Sequence, residues 1–128
     1  KSYGNTIPIF LEEKALRKKI MKIKTNSQLP EEPKDYSNCI LFSLYKSFAT
    51  PSEIKEIKLR YQQGIGWGEM KQILFEKINS DIAGSREKYN YFINNKDELD
   101  KILQIGAEKV RNITIPFIKT IKEHVGLL

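Results

Sequence analysis

The sequence predicts an all-α fold, a helical bundle of four to five helices. Apolar residues recur at intervals of three and four over long stretches, which is the period of one helix face. Start and stop signals separate those stretches, and no stretch alternates apolar and polar residues as a half-buried strand does.

Residues 1–9 contain glycine, asparagine and proline without a sustained period and read as a loop. From about Leu11 to Ile23, Leu16, Ile20 and Ile23 mark the buried side of a helix whose outer side carries Lys14, Lys18 and Lys22, with Arg17 beside them. Residues 25–38, with Pro30 and Pro33 among many polar side chains, are the most linker-like stretch. Asn38 is placed to cap a helix running to about Phe48, with Ile40, Leu41, Leu44, Tyr45 and Phe48 on one side. Thr50-Pro51-Ser52-Glu53 is a capping box with proline in the first turn. The helix it starts buries Ile54, Ile57 and Tyr61 and stops at Gly64. After Gly64-Ile65-Gly66-Trp67-Gly68, a long pattern follows through Met70, Leu74, Ile78, Ile82, Tyr89 and Phe92, weakened at Gly84. Asn95 or Asp97 then opens a last helix, with Leu99, Leu103, Gly106, Val110, Phe117 and Ile121 near one meridian. Gly126 ends it, and Pro116 inside it predicts a kink near Asn112 or Ile113.

The chain has 128 residues, 40% hydrophobic and 30% charged, which suits one compact domain and argues against wholesale disorder. No apolar run is long enough to span a bilayer. The net charge of +6 permits a polyanionic partner. The single cysteine, Cys39, makes no internal disulfide, and no signal-peptide pattern is present; both suit a reducing, cytoplasmic compartment. With one cysteine and one histidine, His124, a Cys/His zinc site is excluded and no metal ligand set is expected.

The residues offer little catalytic chemistry of their own. Glu12-Glu13, Glu31-Glu32 and Asp97-Glu98 read as solvated pairs, Cys39 as a packed thiol and His124 as a cation in a last helical turn. The Gly-Ile-Gly-Trp-Gly turn lacks a preceding strand and a following Lys-Ser or Lys-Thr, so it is no nucleotide-binding loop. Trp67 either packs over the bundle or, if exposed, offers a face to an unpaired base. Lys109 and Arg111 stand about 200° apart on the last helix, so one flat partner cannot meet both. Arg111 shares a side with Gln104, Ile115, Ile118 and Lys122, a stripe suited either to packing or to RNA bases and phosphates. The Lys14, Lys18, Lys22 row is a solvated face or a phosphate-neutralising one.

Several segments, taken in order, resemble a known family. Lys1-Ser2-Tyr3-Gly4-Asn5-Thr6-Ile7 looks like the end of the class I aminoacyl-tRNA synthetase signature Lys-Met-Ser-Lys-Ser, cut after its third residue. Leu16-Arg17-Lys18-Lys19-Ile20 and Leu44-Tyr45-Lys46-Ser47-Phe48-Ala49-Thr50-Pro51 resemble the bacterial type of tryptophanyl-tRNA synthetase. So do Tyr61-Gln62-Gln63-Gly64-Ile65-Gly66-Trp67-Gly68-Glu69-Met70-Lys71 and Gly106-Ala107-Glu108-Lys109-Val110-Arg111.

The resemblance implies a C-terminal fragment, without the Rossmann-type catalytic half, of an enzyme that activates tryptophan with ATP and transfers it to tRNA(Trp). It divides the chain into residues 1–10 (tail of the ATP-binding signature loop), 11–38 (connector helix and linker) and 39–128 (helical anticodon-binding domain). Lys1 then matches a lysine that contacts ATP phosphates, Ser2 helps shape the loop, and Lys1 is expected to be mobile without its upstream anchor. Lys109, Arg111, Lys122, Trp67 and Lys18 are the tRNA-binding candidates. The intact enzyme is expected to use ATP with Mg2+ and to act as a homodimer, while this chain alone is expected to be inactive and to hold no cofactor. Two alternatives are a non-catalytic helical nucleic-acid-binding module and the same region of a tyrosine-specific synthetase.

Overall fold

A computed structural model describes residues 6–127, and among them five helices and no strand are found. They are α1 (Glu13–Met21), α2 (Ile40–Lys46), α3 (Pro51–Gln63), α4 (Trp67–Asn94) and α5 (Lys96–His124). The chain forms two compact units, Lys1–Glu87 and Lys88–Leu128, with the division falling inside α4.

The first unit holds the core. Leu16 and Ile20 of α1, Leu41, Phe42 and Tyr45 of α2, Ile57 and Tyr61 of α3, Ile65 of the following turn, and Met70, Leu74, Phe75, Ile78 and Ile82 of α4 are buried together. Each such side chain contributes roughly 1.5–3 kcal/mol relative to exposure. The ring of Tyr61 has no exposed surface, and its hydroxyl lies 3.2 Å from Cys39 Sγ. Burial pushes the phenol above its ordinary pKa.

The helix signals act locally. At α3 the capping box is present in full: Thr50 Oγ1 accepts from the Glu53 amide at 3.4 Å, and Glu53 Oε2 accepts from the Thr50 amide at 2.7 Å. Lys77 of α4 donates to the other Glu53 carboxylate oxygen at 3.0 Å, tying α3 to α4. Arg60 of α3 pairs with Glu69 of α4, and Lys71 of α4 donates to the Met21 carbonyl at the C-terminal end of α1.

Gly64 ends α3 with φ +99°, and an added Cβ there would stand 2.7 Å from the Glu31 carbonyl carbon and oxygen. The 25–38 segment is free of helix, and it lies against the core. The Lys34 amide donates to the Tyr61 carbonyl at 2.8 Å, and the Lys34 ammonium bonds the carbonyls of Leu29 (2.6 Å), Glu32 (2.9 Å) and Pro30 (3.3 Å). Pro30 and Pro33 carry no N–H, so this tight loop turns carbonyls inward that the lysine satisfies.

Three expectations are corrected. Asn38 does not cap α2: its amide donates to Asp35 Oδ2, and Cys39 is the N-cap residue without a side-chain bond. Asp35 outcompetes the helix terminus because its carboxylate also accepts from the Ser37 amide, closing a turn one residue too early for Asn38 to reach α2. Ile40, expected on the inner side of α2, is its first residue and is 63% exposed. Tyr89 of α4 is 45% exposed and stands outside the core.

In the second unit, α5 runs unbroken through Pro116 to His124, and none of its residues is buried. Leu103, Val110 and Phe117, expected on its apolar meridian, are each about 60% exposed. Val125 is the C-cap residue and Gly126 follows at φ +73°, a stop of the expected kind.

Candidate nucleic-acid interface

Cationic and apolar side chains share one surface on α5. Its first turn carries Asp97 and Glu98 and its last turn Lys122, charges that oppose the helix dipole at both ends. Ile115, Ile118 and Lys122 line one open groove of about 400 Å³ with Thr114 and Lys119. Arg111 lies on the same side two turns earlier than Ile118, while Lys109 points to the opposite side of the helix. All of these side chains are exposed. The structure therefore gathers Lys122 with the two isoleucines and leaves Lys109 apart from them. Lys119, which sequence reasoning passed over, joins the groove and pairs weakly with Glu123 at 3.9 Å. Its signal was present in the spacing Ile115, Ile118, Lys119, Lys122, which returns to one side every three or four residues. Such a surface can neutralise phosphates while its apolar part meets base or ribose surface.

Trp67 opens α4 in the first unit and is half-buried. Its indole Nε1–H donates to Asn26 Oδ1 at 2.9 Å. The Tyr61 ring stands nearly perpendicular to it at 6.1 Å between centroids, and the Lys34 ammonium lies 5.4 Å from its ring centroid. The packed reading of the Gly-Ile-Gly-Trp-Gly turn is what the structure shows, with Ile65 buried beside it. Neither Asn26 nor Lys34 was singled out by sequence. Asn26 is a polar residue among many, and a lysine between two prolines reads as solvent-facing.

Lys18 and Lys14 lie on the exposed side of α1 and Lys22, its C-cap residue, is exposed too, while Arg17 beside them donates to Gln72 Oε1 of α4 at 3.2 Å. The acidic pairs have structural partners where bonds are seen: Glu32 accepts from the Leu29 amide at 2.7 Å, and Glu98 accepts from the Tyr91 hydroxyl. His124 Nδ1 lies 2.7 Å from the Thr120 carbonyl within α5. Among the described residues, no group of three or more His, Cys, Asp or Glu is placed to hold a metal ion. No helix among them is long and apolar enough to cross a membrane. Lys1 and Ser2 lie outside the described residues.

Comparison with known proteins adds the context these side chains lack. No protein-family model matches the chain. Over 127 residues it is 42% identical to the tryptophan–tRNA ligase of Pseudomonas putida, covering 99% of this chain and 28% of that protein. It is 41% identical over 128 residues to the ligase of Bordetella pertussis, again spanning 28% of it. Against the ligase of Neisseria meningitidis it is 40% identical over 127 residues and spans 38%. The crystal structure of tryptophanyl-tRNA synthetase from Campylobacter jejuni, complexed with ADP and tryptophan, superposes with a TM-score of 0.88 at 42% identity. That match covers 99% of this chain and 40% of the Campylobacter chain. The chain thus spans well under half the length of these relatives, and it corresponds to their C-terminal part.

Proposed function

We propose that the chain, homologous over its whole length to the C-terminal part of the tryptophan–tRNA ligases, carries the tRNA-binding helical region of such a ligase. The observation that carries this reading is the groove on α5, where exposed cations and exposed isoleucines share one surface inside a region whose likeness to the ligases is complete along the chain. Arg111 and Lys122 would meet RNA phosphates and Ile115 and Ile118 the apolar surface of an unpaired loop. Lys109, on the far side of the helix, would meet a different part of the same RNA. Lys18 would add a phosphate contact from α1. The residues assigned to the RNA are the four cations named from sequence, Lys18, Lys109, Arg111 and Lys122, with Lys119 added, while Trp67, named with them, packs against Tyr61. The division into a loop tail (1–10), a connector (11–38) and an anticodon-binding domain (39–128) belongs to the same proposal.

In the intact enzyme, the activity would be activation of tryptophan with ATP and transfer to tRNA(Trp), by a homodimer in the cytoplasm. The ADP and tryptophan held by the Campylobacter relative support a nucleotide and tryptophan as ligands of the whole protein. The described residues do not make a magnesium site, so the metal enters the proposal only as the companion of ATP. Lys1 would contact ATP phosphates and Ser2 would shape that loop. The chain by itself is proposed to bind tRNA without activating the amino acid.

The test is binding of the chain to an RNA hairpin carrying the anticodon arm of tRNA(Trp), with the natural and with altered anticodon bases, across a salt series. Loss of affinity on changing one anticodon base, deepened by Arg111→Ala or Lys122→Ala, is the expected result. Equal binding of every hairpin with a steep salt dependence overturns anticodon reading and leaves only a generic basic surface.

A further inference from the structure

Positive charge is densest around α1 rather than on α5. Residues 12–24 hold six cations, Lys14, Arg17, Lys18, Lys19, Lys22 and Lys24, against two carboxylates, a net +4 of the chain's +6. α5 holds six cations against five carboxylates. Lys14, Lys18 and Lys22 recur every fourth residue and are all exposed, so they form one row about 12 Å from end to end. Among the described residues, no ion pair involves any of the three, whereas Arg60, Lys77 and Lys119 are each paired with a carboxylate. Like charges four residues apart on a helix repel, and an anionic partner relieves that repulsion. We propose that this row is a docking surface for the phosphate backbone of a double-helical RNA stem. It deepens the RNA-binding reading above, on which it rests.

The surface chemistry of α1 selects a paired stem over an unpaired strand. Unpaired RNA is held by stacking its bases on aromatic or other flat side chains. The outer side of α1 has none: Leu16 and Ile20 are buried, and no exposed large hydrophobic residue belongs to the helix. A double helix turns its bases inward, and pairing doubles the phosphate density along the axis over that of either strand. A straight row of cations on a helix gains more from such a stem than from a flexible strand that must first be ordered. The end of α1 nearest Lys22 is also fit for anions. The last carbonyls of a helix carry partial negative charge, which repels phosphate. Here the Met21 carbonyl accepts from the Lys71 ammonium of α4 at 3.2 Å, and Lys18 and Lys19 occupy the last turn. Arg17 is turned to Gln72 Oε1 at 3.2 Å and Lys19 to the Thr6 carbonyl at 3.3 Å. Those two add to the local potential, and Lys14, Lys18 and Lys22 make the direct contacts.

The experiment measures binding of the chain to a fully paired RNA duplex of arbitrary sequence, to its two separated strands, and to the anticodon-arm hairpin with natural and altered anticodon bases, each across a salt series. Wild type is expected to bind the duplex more tightly than either strand. The triple variant Lys14→Gln, Lys18→Gln, Lys22→Gln keeps good helix formers at exposed positions, so its circular dichroism should be unchanged. It is expected to flatten the duplex salt slope by roughly 0.9 per lysine and to lower duplex affinity at low salt by at least about tenfold. Arginine at the same three positions should restore both, because the contact requires only a cation. A duplex bound with the same affinity and slope by wild type and the glutamine variant, or separated strands bound as tightly as the duplex, overturns this inference. The RNA reading survives that result if the chain still distinguishes natural from altered anticodon hairpins, and it falls as well if no RNA is bound.

Discussion

The indole N–H of Trp67 donates to Asn26 Oδ1 at 2.9 Å across 41 positions of sequence. This one bond joins the start of α4 to the loop that follows α1, and it fixes the indole's orientation. Asn26→Ala is expected to destabilise the chain by about 1 kcal/mol, the net value of such a bond. The indole N–H then turns to water, so the emission of the only tryptophan shifts to the red. Urea unfolding followed by that emission measures both effects. Unchanged emission with an unchanged midpoint would contradict the assignment.

Glycine substitutions separate backbone need from open space. At Gly64 the left-handed φ of +99° disfavours any side chain, and the added Cβ would strike the backbone of Glu31 and Pro30 at 2.7–2.8 Å. Backbone cannot swing aside as a flexible side chain can. Gly64→Ala is expected to cost about 2 kcal/mol or more. At Gly84 and Gly106, inside α4 and α5, the same Cβ meets nothing within 4 Å. Alanine there is expected to stabilise by up to about 1 kcal/mol each, through helix propensity alone. Opposite signs in urea midpoints are the readout.

What was legible from sequence was what is decided within a few residues. The Thr50–Glu53 capping box and the Gly64 stop came out as read because their partners lie in the same turn. The start of α2 was misplaced because Asp35, three residues before Asn38, competes for its side chain, and sequence does not rank rival local bonds. The burial of Lys34 was invisible because it depends on carbonyls that two prolines leave without donors, a property of the loop's shape. Of the candidate site, the shared side of Ile115, Ile118 and Lys122 follows from helical period alone. The Trp67–Asn26 bond joins segments 41 positions apart, and no local pattern announces it.

The Glu53 carboxylate makes stability depend on acid. The Thr50 amide and the Lys77 ammonium hold its pKa at about 2 in the folded chain, against an ordinary 4.5. A carboxyl group whose folded value is depressed stabilises fully above its unfolded value and loses that contribution as pH falls toward the folded one. The stabilisation from Glu53 is therefore complete above about pH 4.5 and fades between there and pH 2. Glu53→Gln removes this group from the titration. The difference in urea midpoint between wild type and Glu53→Gln should be constant at neutral pH and shrink through that acid window. A difference that stays constant to pH 2 would show that the carboxylate makes no such bonds.

The α5 groove makes a prediction that depends on counting phosphates. Each cation that neutralises a phosphate of a single-stranded or looped RNA releases condensed counterion, steepening the fall of log K with log salt by roughly 0.7 per contact. Arg111 and Lys122 lie on one side of α5, with Lys109 on the other. If one RNA loop lies along the groove, Arg111→Ala and Lys122→Ala should each flatten the slope by about that amount, and the pair by about twice it. Ile118→Ala should weaken binding at every salt concentration without altering the slope, because its contact is apolar. Lys109→Ala distinguishes a loop confined to the groove from one that wraps the helix: the slope is untouched in the first case and flattened in the second. Slopes that stay at the wild-type value in Arg111→Ala and Lys122→Ala would remove the groove from the binding surface.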